Sequence, residues 1–307
     1  MKKNRYNDIG DDEIRIIGDE TPHKVTVLNK WWIIGILVAI IAVVAIVIVS
    51  SNSTSHEADP EVIENVLKEQ LEQSSDTAPS QNLVKTRFGR EVDSLTRGFC
   101  QIRDTMINDV PLRIYIPHNA EMSLHIGKVD KSDESIIYVA EAAFIREDNG
   151  KILGAFVLNG EPKAWGLSMH GYCASINGVV TVGVANDTPL FEKATQHGGH
   201  FFRQYPLIDN GVLVENAPKN KSIRRAICQR NDETFMVESQ TKESFHDFSQ
   251  ALVDLGIDNA VNIAGSLAYG WAVDEEGTTH EFGSPNFYNG RKKMPKNTNY
   301  MVWRRTN

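Results

Sequence analysis

Two stretches of this chain carry side chains suited to holding an anion. "HGGHFFRQYP" (197–206) supplies His197, His200, Arg203 and Gln204, and "SIRRAI" (222–227) supplies Arg224 and Arg225 directly before a strand. Guanidinium forks are the strongest fixed donors for paired oxygens such as those of a phosphate. Adjacent residues of a strand point to opposite faces, so at most one of the two arginines enters a single hollow, and surface solvation of both is the competing reading. In "MHGYCASING" (169–178), His170 precedes an apolar strand and has the chemistry of an acid or base, or of a hydrogen-bonded structural histidine. Asn177 suits a sugar hydroxyl, although an Asn-Gly pair serves a tight turn equally well.

"AVNIAGSLAYGW" (260–271) runs a short apolar strand into Ala264, Gly265 and Ser266, with Tyr269 and Trp271 beyond. Such an ending is either simple packing or a ligand hollow at the carboxyl end of a strand. The two aromatics offer a stacking face for a sugar ring, and side chains at that spacing also serve as core. His197 and His200 have the spacing of metal ligands, but Gly198 and Gly199 break the helix between them and no carboxylate or Cys completes a set, so no metal is expected. Other acids have local explanations: Asp187 and Glu192 flank a helix start, Asp209 sits in the hairpin turn "IDNG", and Asp247 complements a helix dipole.

The elements that position these groups are mostly strands. From about Gly98 onward, segments such as "PLRIYIPHNAEMSLHIG", "SIIYVAEAAFI" and "RRAICQRNDETFMVES" combine β-branched or aromatic residues with turn signals. Two helices are expected, near Leu190 to His197 and over "SFHDFSQALVDLG", with Ser244 as N-cap, Phe245, Phe248, Leu252 and Leu255 on one stripe and Gly256 as the stop. The expected fold is α+β: a mixed, largely antiparallel sheet with a few packed helices. Glycine-rich nucleotide loops, H-E-x-x-H and G-x-S-x-G are absent, so no cofactor is expected.

The net charge of -8 and the lack of a basic stripe argue against nucleic acid as a partner. Three cysteines, Cys100, Cys173 and Cys228, cannot make a disulfide framework. From Trp31 to Val49 no charged residue occurs, and roughly 20 apolar residues span a bilayer as a helix. Basic residues precede this run, so residues 1–30 are expected as a cytoplasmic tail, 31–49 as a single transmembrane helix, and the rest outside the cytoplasm. Residues 50–97 read as a spacer. Within it Val62, Ile63, Val66, Leu67 and Leu71 form a short helical stripe that either pairs with a second copy, as a homodimer, or packs on its own domain or frays. Residues 98–307 are expected to form one domain.

The order of segments from Leu167 to Gly270 resembles the phosphodiester glycosidases. That family carries A-I-N-G-G-F-F, Q-x-G-P-x-L-V, R-T-A-I-G, V-D-G-R, a helix ending in L-G, and N-L-D-G-G-G-S. Here Ala174 to Val180 matches the first with Asn177 in place. Gln204, Pro206 and Leu207 match the second, Arg224, Ala226 and Ile227 the third, and Leu255-Gly256 with Asn262-Ile263 the last. The departures are Ala264 in place of the family's Asp, and Val237-Glu238-Ser239-Gln240 in place of V-D-G-R.

The resemblance implies release of a sugar from a phosphodiester linked through its anomeric carbon. An oxocarbenium-like transition state wants a nearby carboxylate, and the leaving phosphate needs little protonation. It selects Arg224 over Arg225 for the hollow and Glu238 as the catalytic carboxylate. With His170 as a second catalytic group, Asn177, Arg203, Gln204, Arg224, Gly265, Ser266 and Tyr269 become the expected substrate contacts. A membrane-anchored hydrolase acting on an envelope glycan is one reading; a carbohydrate-binding or scaffolding module that lost catalysis with the missing Asp is the other.

Overall fold

The computed structural model describes residues 86–285 and 294–307. The expected transmembrane run and the spacer stripe lie outside them. In chain order the elements are β1 (Phe99–Ile107), β2 (Val110–His118), β3 (Ala120–Ile126), β4 (Ile136–Glu141), β5 (Ala155–Leu158), β6 (Glu161–Trp165), β7 (Gly171–Ile176), β8 (Val179–Val184), α1 (Leu190–Gln196), β9 (His200–Gln204), β10 (Pro206–Asp209), β11 (Val212–Leu213), β12 (Arg225–Arg230), β13 (Glu233–Ser239), α2 (Phe245–Asp254), β14 (Asn259–Ile263), β15 (Gly270–Val273), β16 (Thr279–Phe282) and β17 (Asn299–Arg305).

The strands form three sheets: a seven-stranded one in the order β1-β2-β13-β12-β14-β10-β11, and five-stranded ones in the orders β16-β15-β4-β17-β3 and β6-β5-β9-β7-β8. All strand pairs among the described residues are antiparallel. The single mixed sheet expected from the sequence is thus three antiparallel ones, in an α+β fold dominated by sheet. The chain passes between sheets at Gln204–Pro206, where β9 ends in one sheet, β10 begins in another, and Pro206 brings no N–H to the ladder.

Period-two alternation builds the two large cores. On β12, Ala226 and Cys228 face α2 with Phe235, Val237, Phe248 and Leu252, while Ile227 faces the other way into a cluster with Tyr115, Tyr138, Phe156 and Phe202. α2 is placed as its sequence directs: Ser244 is the N-cap, its hydroxyl accepting the Asp247 N–H at 3.0 Å, and Phe245, Phe248 and Leu252 are buried. Full burial of a side chain such as Phe248 contributes about 1.5–3 kcal/mol.

Residues ahead of Gly98 also belong to this core. The buried Glu233 carboxylate accepts the backbone N–H groups of Phe88 and Gly89 at 2.8 and 2.7 Å. The Phe88 ring meets Phe235 at 5.2 Å and lies 4.0 Å from the Arg230 guanidinium. Glu233→Ala should therefore cost about 1–3 kcal/mol by leaving those two donors unmet. Denaturant unfolding would read the loss, and faster tryptic cleavage after Arg87 and Arg90 would locate it.

Candidate functional site

Four of the six segments that carry the family resemblance meet at one end of the seven-stranded sheet. Ile263 of β14, Arg225 of β12, Glu238 of β13 and Arg113 of β2 lie opposite one another in register. The Asn262 N–H donates to the Tyr205 carbonyl at 2.9 Å, which brings Gln204 and Pro206 to the same level. Tight turns at Asn210-Gly211 and Asn231-Asp232 close the other end of these strands.

Arg225 is the hub of this end. Its side chain is 2% exposed, and its guanidinium pairs with the Glu238 carboxylate. The same guanidinium donates to the carbonyls of Ala264 at 3.3 Å and Ala268 at 2.8 Å and lies 4.7 Å from the centroid of the Phe282 ring. Glu238 also accepts from Gln240 Nε2 at 3.2 Å. The phenol of neighbouring Tyr115 is pushed up, first by burial and then by the Glu238 charge. The sequence placed Glu238 as a reacting carboxylate; the structure places it inside an ion pair that fastens the 264–268 turn.

Arg224 and Arg225 do face opposite ways, each into internal partners of its own. Arg224 lies over the Phe245 ring at 3.9 Å and donates through Nε to the Glu243 carbonyl at 3.0 Å and through Nη2 to the Asn220 carbonyl at 2.5 Å. Its backbone N–H donates to Ser239 Oγ at 2.9 Å. It ties the 220–224 loop to the start of α2. Neither arginine is a solvated surface charge; both are 2% exposed.

Gln204 is wholly buried, its Nε2 reaches the Leu153 carbonyl at 3.4 Å, and its Oε1 has no partner among the described residues. Arg203 points to the other face of its sheet, where Nη1 donates to the carbonyls of Met169 and Ala185, both at 2.8 Å, and Nη2 to that of Asn186 at 3.3 Å. Burial lowers its pKa. His170 is exposed in the loop before β7, and its carbonyl accepts the Ala185 N–H at 2.9 Å. Gly265 and Ser266 form the turn after β14, with the Ser266 N–H donating to the Ile223 carbonyl at 2.8 Å. His197 caps the end of α1, and His200 is buried on β9 with its Nδ1 accepting the Asn159 N–H at 3.3 Å.

Two expected contacts lie apart from this group. Asn177 is an exposed hairpin tip with φ 51, and the register of β7, with Gly171 opposite Gln204 and Ser175 opposite His200, puts it roughly 20 Å along the strand from Gln204. Asn177→Gly should leave any ligand affinity unchanged, since Gly adopts this conformation freely; a loss measured by titration calorimetry would bring the turn back into the site. Tyr269 packs on the outer face of the β15–β4–β17 sheet, its ring 5.9 Å from that of Trp271, in a cluster with Val139 and Tyr300. Burial raises its pKa, with the Glu281 hydrogen bond second.

Sequence reasoning passed over Glu141. It ends β4 in "YVAEAAF" and is 8% exposed. A lone acid in an otherwise apolar strand is the signal that could have found it, because such side chains are seldom buried unless paired. The three cysteines are fully buried and burial pushes their thiols up, which leaves them inert. A cavity lies between the β1–β2 turn and α2, lined by Asn108, Asp109, Glu243, His246 and Gln250, and contains none of the expected site residues.

No family model and no curated protein sequence matches the chain. Among solved structures, it is similar to the catalytic domain of zebrafish N-acetylglucosamine-1-phosphodiester alpha-N-acetylglucosaminidase, auto-inhibited by its pro-peptide. Identity there is 11% over 68% of this chain and 83% of that one, with a TM-score of 0.49. It is also similar to a hypothetical protein from Synechocystis at 13% identity, over 68% of this chain and 62% of that one, with a TM-score of 0.44. Both are distant likenesses of fold.

Proposed function

We propose that this chain is a membrane-anchored glycosidase that hydrolyses a sugar-1-phosphodiester linkage in a glycan outside the cytoplasm. The observation that carries the reading is the meeting of the Gln204, Arg224, Glu238 and Asn262–Ser266 segments at one sheet end, although some 60 residues of sequence separate the first from the last. Segments that resemble one family in order, and then converge in space, are what a shared site would produce. Residues 31–49 would hold the domain at the bilayer, with the N-terminus in the cytoplasm.

In the reaction, the oxygen of a water molecule bonds to the anomeric carbon while the bond from that carbon to the phosphate oxygen breaks. The electron pair stays on the phosphate, and the products are the free sugar and a phosphomonoester. A second reading, a binding or scaffolding module, is favoured by one observation: Glu238 is engaged by Arg225, and Ala264 brings no carboxylate.

The test uses the full chain in detergent with nitrophenyl sugar-1-phosphodiesters. Release of reducing sugar together with nitrophenyl phosphate supports the hydrolase. Saturable binding with no product across the sugars tried supports the module, and neither turnover nor binding removes both.

A further inference from the structure

Residues 86–90 lie on the domain as a strap, at the end of the seven-stranded sheet away from Arg225 and Glu238. Two side chains make its seat. The β13–β2 register runs from Ser239 opposite Leu112 to Met236 opposite Tyr115, and carried three residues further it brings Glu233 level with His118. Glu233 shares a face with Phe235 and Val237, and His118 with Ile114 and Ile116, so carboxylate and imidazole look out on the same side.

The strap enters between them. Glu233 accepts the N–H groups of Phe88 and Gly89, and a Cβ added to Gly89 would stand 3.0 Å from Glu233 Oε1 and 3.2 Å from His118 Cε1. The His118 ring lies 5.0 Å from that of Phe99, which in turn has the Arg90 guanidinium over it at 5.1 Å. Gln101 Oε1 accepts the Arg90 N–H at 3.1 Å and meets His118 Nε2 at 2.9 Å, which puts the proton of the neutral ring on Nε2. Arg103 Nη1 donates to the Phe88 carbonyl at 2.6 Å, Arg87 pairs with Asp232 at 2.8 Å, and Arg90 pairs with Glu275 in the β15–β16 turn.

The charged groups that face His118 are Arg87 and Arg90 from the strap, Glu233 from β13 and Glu275 from the β15–β16 turn. While the strap is docked, burial first and then Arg90 and Arg87 hold the imidazole below its ordinary value. Release of the strap would carry both arginines away and leave Glu233 without its two donors. A protonated His118, facing that carboxylate, is then a charge-assisted replacement. The docked and released arrangements thus differ in their affinity for one proton, which is what allows pH to shift the balance between them.

We propose that residues 86–90 form an acid-released strap, in which the N–H groups of Phe88 and Gly89 compete with a protonated His118 for the Glu233 carboxylate. Docking favours the neutral ring, so it is at full strength above the ordinary imidazole value of about 6.5 and weakens as the pH falls below it. Asn119 still holds the carbonyls of Asp93 and Thr96, so release lets out residues 86–92, roughly 20 Å of chain, between the domain and the residues read as spacer. The device goes beyond the hydrolase reading and stands without it.

Hydrogen exchange of the full chain in detergent tests the strap, at about pH 7.5 and about pH 5.5, with labelling times scaled for the intrinsic rates. Protection of the Phe88 and Gly89 amides should fall about five- to tenfold at the lower pH, while the amides of β12 and β13 keep theirs. His118→Gln, which retains a donor for Gln101 and cannot titrate, should hold the same protection at both. If that variant leaves the strap free at the higher pH, His118→Phe, which keeps a ring against Phe99, takes its place. A parent strap equally protected at both values overturns the proposal, as does acid loosening of the same size in a docked variant. Undocking of both variants at the higher pH overturns it too, by reducing His118 to a packing residue.

Discussion

Glu238→Ala is expected to destabilise the chain by about 3–5 kcal/mol, because it strips a buried guanidinium of its counter-charge. The two side chains are 2% and 9% exposed, so water cannot screen what is left. Arg225 would keep its bonds to the carbonyls of Ala264 and Ala268, but two carbonyl dipoles do not neutralise a full charge in the core. Replacing both partners by apolar groups removes the charge as well as the pair, so Arg225→Met with Glu238→Leu should recover most of the loss. Guanidinium chloride unfolding of the two single variants and the double variant gives the coupling directly. A single variant costing less than about 1 kcal/mol, as an exposed pair would, shows that the pair does not anchor this sheet end. Unfolding data also guard the kinetics: a rate lost in Glu238→Ala at a temperature where the variant is unfolded says nothing about chemistry.

Local order was legible in the sequence wherever one segment could settle the matter. Ser244, the apolar stripe through Leu252 and the stop at Gly256 specify α2, and the structure forms it over Phe245–Asp254. The same holds for the turn at Asn210-Gly211 and for the opposite facing of Arg224 and Arg225. What alternation cannot supply is the identity of the surface each face meets. Arg224 finds Phe245, 21 residues later, and Arg225 finds Phe282, 57 residues later, and neither distance is encoded near the arginines. The number of sheets was hidden for the same reason, since the corner at Gln204–Pro206 depends on which strands lie on either side. β4 was hidden differently: it reads as a plain apolar run, and only the contact of the Ala264 N–H with the carbonyls of Glu141 and Ala142 brings its end beside the resembled segments.

Gly265→Ala is expected to cost about 3 kcal/mol, the upper range for overpacking, and to disorganise the turn that leads from β14 to Tyr269. An added Cβ would run into the carbonyl oxygen of Ile223, with the Arg224 Cα at 3.5 Å behind it. That oxygen is main chain at the threshold of β12 and already accepts the Ser266 N–H at 2.8 Å, so it cannot swing aside as a side chain would. The turn must retreat instead, carrying with it the carbonyls of Ala264 and Ala268 that Arg225 holds and loosening Ala264 from the end of β4. Gly277→Ala supplies the control: with φ near +80 and nothing within 4 Å, it should cost only the strain of a left-handed alanine, about 1 kcal/mol. Unfolding free energies should therefore separate the two glycines by about 2 kcal/mol, and limited proteolysis should cut within 264–268 in the first variant alone. Equal costs at the two positions would mean that this turn can give way without strain. Ala264 would then have no fixed seat between Arg225 and the end of β4, and a site built around it would lose its frame.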